Sequence, residues 1–448
     1  MNNTYSVKNN FHLFLATTIG NIFEMFDFFV FVFLSSILAT LFFPPTIGSL
    51  SLVFTYLTIT ISYLLRPIGG IILGSFGDRY GRKSVFTLSI LCTAIPSLVI
   101  GLLPTFDKIG YLATIILVIS RIFQGFSSGA ELPGAITFIA EKYSQKNYYY
   151  YCAWISFGAN LSIASGSLLI RVMTNSMSHD FLYSYGWRIP FLSGGLLAVI
   201  GFYIRKHIAE TEQFQALKQQ NKLQKIPVFS LFANHKTAIV LGAFLALIVL
   251  LITSIFHLFL PNLFIKYLHL SLQDSAGVSA TGAITLAIFI LVFAIATYKF
   301  NPIRIAQLSI IGLIITFSLV LNKYIILNNL HNLYTVVIVV SILLAGVNGI
   351  YAGLLVDLFP TEVRYSGVAV CFTIAATLGA GLTPLWTSAI LTLTHSYMYI
   401  ILVCLTICIV SLINLYYLKK YLSKKDYDPE YTADLSLQVV RNHQKSIS

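Results

Sequence analysis

Two acidic residues, Glu24 and Asp27, lie inside the first long apolar run of the sequence. On a helix, Asn21, Glu24 and Phe28 share one face, and Asp27 neighbours Glu24 on the adjoining turn. Burying a carboxylate costs free energy unless it is paired, hydrated or protonated. Two neighbouring acids favour protonation of one of them, which suits the loading and release of a proton. The alternative is a structural ion pair with an arginine on another helix.

Arg121 stands near the middle of another apolar run, too far from either end to reach water. A guanidinium stays charged and binds carboxylates through paired hydrogen bonds. Arg121 is therefore expected either to pair with Glu24 or Asp27, or to bind the carboxylate of a solute. Polar residues on the same helix continue a stripe that should face a water-filled cavity. The residues predicted to bind a solute are Asn21, Arg121, Gln124, Ser128 and Glu131.

Arg66 ends the predicted second apolar run, in Leu65-Arg66-Pro67. This run is predicted to leave the membrane shortly afterwards, which places Arg66 close to the inner interface. A structural role is therefore expected for Arg66, rather than contact with a solute.

The densest group of charges forms a short turn, Gly74-Ser75-Phe76-Gly77-Asp78-Arg79-Tyr80-Gly81-Arg82-Lys83. Apolar runs precede and follow it. A segment this short and this charged must lie at a membrane face, and its glycines allow two helix ends to approach closely. Its excess of cations predicts the cytoplasmic side.

The elements that position these residues are membrane-spanning helices. The chain is 57% hydrophobic and 10% charged, whereas soluble domains carry about 25% charged residues. A spanning helix needs about 20 mostly apolar residues. The sequence predicts an all-α polytopic membrane protein with spans at 13–42, 50–73, 84–104, 111–140, 150–173, 188–206, 237–262, 274–298, 305–322, 333–357, 365–393 and 397–418.

The loop charges predict the topology. Lys and Arg cluster in alternate loops next to the spans, as the positive-inside rule requires, and both termini are expected in the cytoplasm. This distribution also argues against nucleic-acid binding, despite a net charge of +12. The expected organisation is a six-helix half at 1–206, a polar cytoplasmic linker at 207–236, a second six-helix half at 237–418 and a tail at 419–448. The five cysteines show neither disulfide nor metal-site spacing.

The charged turn resembles the loop between the second and third helices of the major facilitator superfamily. Nearly the whole chain resembles one branch of that superfamily, the metabolite:proton symporters. The matching segments are Gly20-Asn21 with Glu24 and Asp27-Phe28, Arg121-Ile122-Phe123-Gln124-Gly125, Gly129-Ala130-Glu131, Gly186-Trp187-Arg188-Ile189-Pro190-Phe191 and Phe359-Pro360-Thr361-Glu362-Val363-Arg364-Tyr365-Ser366-Gly367. Two departures are Met25, where the family usually has an aromatic residue, and the degenerate second loop at 296–304.

The resemblance implies a secondary active transporter in the inner membrane that works by alternating access. It would import a small carboxylate or zwitterion, of the proline, betaine, citrate or 2-oxoglutarate type, together with protons. Glu24 and Asp27 would carry the proton, and Arg121 would bind the substrate carboxylate. The residues expected to form a cytoplasmic gate are Gly74, Asp78, Arg79, Gly81, Arg82, Glu141, Asp357 and Arg364.

Two other functions stay open at this point. One is a proton-driven exporter or antiporter of drug-like or siderophore-like compounds on the same fold. The other is a membrane sensor that binds a solute without transporting it. An enzyme is not expected, because no paired catalytic motif lies in a loop. No cofactor or metal is expected beyond the coupling proton, and the expected state in the bilayer is a monomer.

Overall fold

The computed structural model is a bundle of long helices. It describes residues 18, 21–48, 50–143, 145–224, 226–259, 270–322 and 329–425, and within these ranges it contains no β-strand. Eleven helices of the described part are long and apolar enough to cross a membrane, or twelve when a bent pair counts as one span. The spans are α1 (Asn21–Phe33 followed by Ser35–Phe42), α2 (Leu50–Tyr80), α3 (Arg82–Leu102), α4 (Tyr111–Lys142), α5 (Asn147–Ser176), α6 (His179–Lys206), α7 (Lys236–Phe259), α8 (Asp274–Ala296), α9 (Pro302–Leu321), α10 (Leu330–Leu358), α11 (Thr361–Thr394) and α12 (Met398–Lys424).

Helix α2 shows why the sequence folds this way in a bilayer. Large apolar side chains, among them Leu57, Leu64 and Ile68, are exposed on its outer face, where lipid replaces water. The opposite face buries small and polar residues. Gly125 of α4 packs so tightly on this face that a Cβ would overlap the backbone of Ser62. The helix is therefore polar inside and apolar outside, the reverse of a soluble helix.

The first six spans meet the last six along two helix pairs. Helix α2 packs against α11, and α5 packs against α8. Within each set of six, α2 also packs on α4, and α8 on α10. This arrangement leaves a space between the two sets that is bordered by residues from both.

Three of the spans are irregular, and two of them are irregular where they border this space. Helix α7 ends in a π-helical segment at Ser254–Phe259, and α11 contains another at Thr377–Gly381. Helix α1 bends by 70° between Asn21–Phe33 and Ser35–Phe42. Such π segments recur at functional sites, because they turn side chains and carbonyl groups away from the regular helical pattern.

The prediction of twelve spans is confirmed, but one boundary needs correction. Helix α2 continues to Tyr80, instead of ending near residue 73. Arg66 therefore lies in the middle of a 31-residue helix, not close to its inner end. The segment between the halves contains two short helices, Glu212–Gln219 and Pro227–Asn234.

Candidate functional site

Four charged residues buried within the first six spans converge on one small cavity. Residues of α1, α2 and α4 supply most of its wall, and α3 contributes Thr93. The charged and polar residues of its lining are Glu24, Asp27, Ser62, Arg66, Thr93, Arg121, Gln124 and Ser128. Glu24, Asp27, Arg121, Gln124 and Ser128 are thus brought together, as the shared helical faces predict.

Both carboxylate oxygens of Asp27 contact neighbouring side chains. Its Oδ2 atom lies 3.4 Å from Nη1 of Arg121 and accepts a hydrogen bond of 2.9 Å from Nε2 of Gln124. Its Oδ1 atom accepts a hydrogen bond from the hydroxyl of Ser97. The guanidinium of Arg121 also lies over the ring of Phe31, with Cζ 3.7 Å from the ring centroid. Asp27 and Arg121 therefore form a buried, charge-balanced ion pair.

Glu24 has a different environment one turn away. Its Oε1 atom accepts a hydrogen bond from the hydroxyl of Ser128. Its Oε2 atom is buried and has no hydrogen-bond partner among the described residues. No arginine or lysine of the described chain lies within ion-pair distance of it. A carboxyl group in this setting is well suited to bind a proton, because the proton removes an unbalanced buried charge.

Arg66 is a buried cation held by aromatic rings. Its side chain is 3% exposed, and Cζ lies 4.0 Å from the ring centroid of Tyr63 and 5.1 Å from that of Phe28. The guanidinium makes no hydrogen bond or ion pair to another described residue, and its Nε atom is buried without a partner. Arg66 therefore keeps hydrogen-bond donors that a ligand could use.

A second, larger cavity lies between the two sets of spans and shares Arg66 with the first. Its cavity volume is about 70 Å³. Arg66 is the one charged residue among the described residues that line it. The remaining wall is apolar, aromatic or neutral polar: Met25, Phe29, Tyr63, Leu132, Ser156, Ala159, Asn160, Ile163, Val249, Leu250, Thr253, Ser254, Leu258, Asn348, Tyr351, Phe372, Ala376 and Ala380.

Two predicted solute-binding residues lie outside both cavities, which corrects the sequence interpretation. Glu131 is completely buried, accepts a hydrogen bond from Ser89 and pairs with Arg205 of α6. Asn21 donates a hydrogen bond of 3.1 Å from Nδ2 to the carbonyl oxygen of Ile155. Both residues join helices: Glu131 contacts α3 and α6, and the amide nitrogen of Asn21 contacts α5. Periodicity placed them on a polar face, but it could not identify which neighbour that face meets.

The C-terminal end of α2, where the sequence predicted a charged turn, contacts the start of α11. The carboxylate of Asp78 accepts hydrogen bonds from the backbone nitrogens of Tyr365 (3.2 Å) and Ser366 (2.9 Å), and from Oγ of Ser366 (2.6 Å). A carboxylate is stabilised at a helix N-terminus by the free N–H groups and the helix dipole. Gly74 lies against the same segment, since a Cβ there would be 3.2 Å from Cα of Ser366. Asp78 therefore joins the two halves of the molecule.

Arg82 stands at the centre of this contact. Its Nη2 atom lies 3.1 Å from Oε1 of Glu141 and 3.2 Å from Oδ1 of Asp78, and it donates a hydrogen bond of 2.7 Å to the carbonyl oxygen of Thr361. Arg364 lies nearby, 3.9 Å from Glu141. We call Asp78, Arg82, Glu141 and Arg364 the gate cluster. Gly81 precedes Arg82 with φ +117°, a conformation that glycine adopts without strain.

Two other predicted gate residues do not belong to this cluster. Arg79 is exposed and lies over the ring of its neighbour Tyr80, because it projects from the other side of α2. Asp357 instead accepts hydrogen bonds from the hydroxyl groups of Tyr148 and Tyr149, the latter at 2.5 Å. These tyrosines belong to α5, so Asp357 makes a separate contact between the halves. The run of four tyrosines at 148–151 was a visible signal for it.

The segment that follows α6 also contacts the gate cluster, which the sequence did not predict. Thr211 donates a hydrogen bond of 2.5 Å to Oε2 of Glu141, and Glu210 accepts hydrogen bonds from the backbone nitrogen of Lys83. Gln213 accepts a hydrogen bond of 2.8 Å from Arg364. Burial raises the pKa of the Glu210 carboxyl above its ordinary value. The linker is therefore part of the closed contact.

Comparison with known proteins agrees with this architecture. A sequence profile described as Major Facilitator Superfamily matches residues 17–384. The proline/betaine transporter of Escherichia coli (strain K12) is 30% identical over 381 residues, covering 82% of this chain and 75% of that protein. The proline/betaine transporter of Salmonella typhimurium (strain LT2) is 29% identical over the same coverage.

Solved structures of transporters share the fold. The proton:xylose symporter XylE bound to 6-bromo-6-deoxy-D-glucose superposes with a TM-score of 0.71, at 16% identity, over 92% of this chain and 95% of that chain. A bacterial homologue of the iron transporter ferroportin, in an outward-facing state, gives a TM-score of 0.68 at 15% identity, over 92% and 99%. The chain belongs to the major facilitator superfamily: it is a multi-pass membrane transporter of small solutes and not an enzyme.

Proposed function

We propose that this protein imports a small zwitterionic metabolite, of the proline or betaine type, together with protons. The transport would cross the inner membrane by alternating access, with a monomer as the working unit and both termini in the cytoplasm. The observation that carries the proposal is Arg66, a buried cation with free donors in the cavity between the halves. The names of the two enterobacterial relatives supply the substrate class.

Arg66 is the residue we assign to the substrate carboxylate. Its guanidinium offers free hydrogen-bond donors to the larger cavity, and carboxylates form strong, charge-assisted bonds with such a group. Arg121 was expected in this role from the sequence, but it is already paired with Asp27 and does not line the larger cavity. One cation suits a substrate with one carboxylate. A tricarboxylate such as citrate would bring excess negative charge into a buried site.

Glu24 is the residue we assign to the proton. It shares the small cavity with Arg66, so the two opposite charges balance when Glu24 is ionised. Protonation of Glu24 leaves the charge of Arg66 unbalanced, and a substrate carboxylate restores neutrality. A proton and a substrate therefore each favour the binding of the other, and this coupling is reciprocal. Asp27 would hold Arg121 in place and take part in proton transfer only when that pair opens.

The gate cluster would close the cytoplasmic side in one half of the cycle. Its bonds join α2 and α3 to α11, and they must break for the cavity to open inward. Movement of one positive charge through about 100 mV yields about 2.3 kcal/mol, which at about 1.4 kcal/mol per decade supports roughly 50-fold accumulation of a neutral substrate. That driving force is sufficient for uptake of a zwitterion against a gradient.

The experiment is a substrate screen in proteoliposomes that carry an imposed pH gradient and an external pH indicator. Proline, glycine betaine, citrate, 2-oxoglutarate and shikimate would each be added from outside. We expect external alkalinisation with a zwitterion, abolished by a protonophore, and none with citrate. Alkalinisation with citrate alone would contradict the proposal that Arg66 is the one cation that binds the substrate. Solute binding without flux from any compound would favour a sensor, and proton-driven efflux would favour an exporter.

A further inference from the structure

Asn160 of α5 presents an unused acceptor to the larger cavity. Its Nδ2 atom donates a hydrogen bond of 2.8 Å to the carbonyl oxygen of Ser156. Because a carbonyl oxygen can only accept, the amide nitrogen must face it, and Oδ1 is the atom left over. That oxygen is buried and has no hydrogen-bond partner among the described residues. A buried acceptor without a partner is costly, so a ligand that donates to it gains affinity.

Thr253 of α7 presents a similar group from the other half of the molecule. In several spans, threonine hydroxyls donate to the carbonyl oxygen four residues earlier, as Thr58 does to Phe54 and Thr281 to Gly277. The hydroxyl of Thr253 is buried and makes no such bond. Thr253 and Asn160 both line the larger cavity, and each carries a buried oxygen atom without a partner.

The described wall of the cavity offers no anion to the positive end of a zwitterion. No carboxylate is among its described lining residues. An aromatic cage could hold such a cation, but the guanidinium of Arg66 already lies over the rings of Tyr63 and Phe28. The rings of Phe29, Tyr351 and Phe372 also line the cavity. A charged N–H group can donate to the unpartnered oxygen atoms of Asn160 and Thr253, whereas a quaternary ammonium group has no N–H donor for them and can use only the rings.

We infer that Asn160 and Thr253 bind the ammonium group of the substrate through its N–H donors, so that the cavity prefers primary or secondary amino acids to fully N-methylated ones. This inference rests on the proposed function and narrows its substrate class. Arg66 holds the carboxylate, and Asn160 and Thr253 accept from the nitrogen. A proline nitrogen carries two N–H groups in its charged form, whereas a betaine nitrogen carries none. The acceptors stay unpartnered when a betaine binds.

The test compares two ligands that differ only at the nitrogen, L-proline and N,N-dimethyl-L-proline. Each competes with labelled proline for uptake by the full-length protein in proteoliposomes. We expect the dimethyl compound to inhibit about tenfold more weakly, since charge-assisted hydrogen bonds are lost. Asn160→Leu and Thr253→Val should each reduce the ratio of the two inhibition constants, dimethylproline over proline. Thr281→Val, whose hydroxyl bonds only its own helix, should keep it.

Equal or stronger inhibition by the dimethyl compound would overturn the inference, and so would an unchanged ratio in both cavity variants. Because the readout is a ratio, lower expression of a variant does not affect it. Should Asn160→Leu fail to fold, Thr253→Val alone decides, since that substitution preserves the side-chain shape. Absence of uptake of every zwitterion by the wild type would overturn the proposed function itself, an outcome distinct from a lost preference.

Discussion

At the scale of single residues, two carboxylates one helical turn apart have different surroundings. Asp27 accepts hydrogen bonds from Ser97 and Gln124 and pairs with Arg121, whereas one oxygen of Glu24 is left without a partner in the described structure. A fully bonded carboxylate is stabilised as the anion. A buried and unbalanced one gains most from a proton. This difference is the reason why we propose Glu24, and not Asp27, as the residue that binds the proton.

Replacement of Arg66 by lysine should weaken apparent substrate affinity. Lysine keeps the charge but loses the planar, paired donors, and loss of a charge-assisted bond costs about 1.5–3 kcal/mol, or about 10- to 100-fold in affinity. The measurement is the KM of labelled proline uptake in proteoliposomes. Arg79→Lys, an exposed arginine on the same helix, is the matched control and should behave as wild type. An unchanged KM for Arg66→Lys would remove Arg66 from the binding site.

Glu24→Gln should separate exchange from accumulation. Glutamine keeps the size of the side chain and can still accept a hydrogen bond from Ser128, but it cannot take up a proton. Counterflow of labelled proline against internal proline needs no net proton movement, so it should persist. Accumulation driven by a pH gradient should be lost. Gradient-driven accumulation at the wild-type level in this variant would show that the coupling proton binds elsewhere.

At the scale of elements, the gate cluster joins the end of α2 to the start of α11, and the linker lies against it. The sequence predicted Asp78 and Arg82 from the charged segment at 74–83, Glu141 from the end of the fourth span and Arg364 from a family motif. It did not predict Glu210, Thr211 or Gln213, since a polar linker carries no periodicity that reveals what it contacts. The contact of Tyr148 and Tyr149 with Asp357 was not predicted either, because aromatic residues are common at membrane interfaces and do not indicate a particular partner.

Asp78→Asn should favour the inward-open state. Asparagine offers one acceptor oxygen in place of two and removes the charge that pairs with Arg82, so the contact with Ser366 weakens. The measurement is alkylation of a cysteine placed at Ser254 in the cavity, from the cytoplasmic side of inside-out vesicles with Cys92 replaced. We expect about tenfold faster labelling. Arg79→Ala should not change the rate, and equal rates for both variants would contradict the assignment of the gate.

The linker should dock less tightly as the pH rises. Because burial raises the pKa of Glu210 in the docked state, that state binds a proton more tightly than the undocked one. Docking is therefore strongest at acidic pH and weakens as the pH passes through the raised pKa. Limited proteolysis of the linker across this range measures the effect. Glu210→Gln, which keeps an acceptor for Lys83 but cannot titrate, should show a flatter pH dependence, and an unaltered dependence would exclude Glu210 as its source.

At the scale of the whole molecule, composition and span length predicted the all-helical fold and the number of spans. The bilayer permits few alternatives to helices of this length. The position of Arg66 was missed because one span was taken to end too early. The apolar residues that continue from Ile68 to Leu73 were the signal that it lies deep in the membrane. The sequence could not predict which buried arginine lacks an ion-pair partner, because pairing depends on how distant helices pack.

The account depends most on the link between a proton on Glu24 and a substrate carboxylate at Arg66. The direct measurement is the release or uptake of protons when proline is added to purified protein in weakly buffered solution with a pH indicator. We predict proton uptake on binding by the wild type, and binding without proton uptake by Glu24→Gln. Binding by the wild type with no proton uptake would contradict the account, as would the same uptake in both proteins.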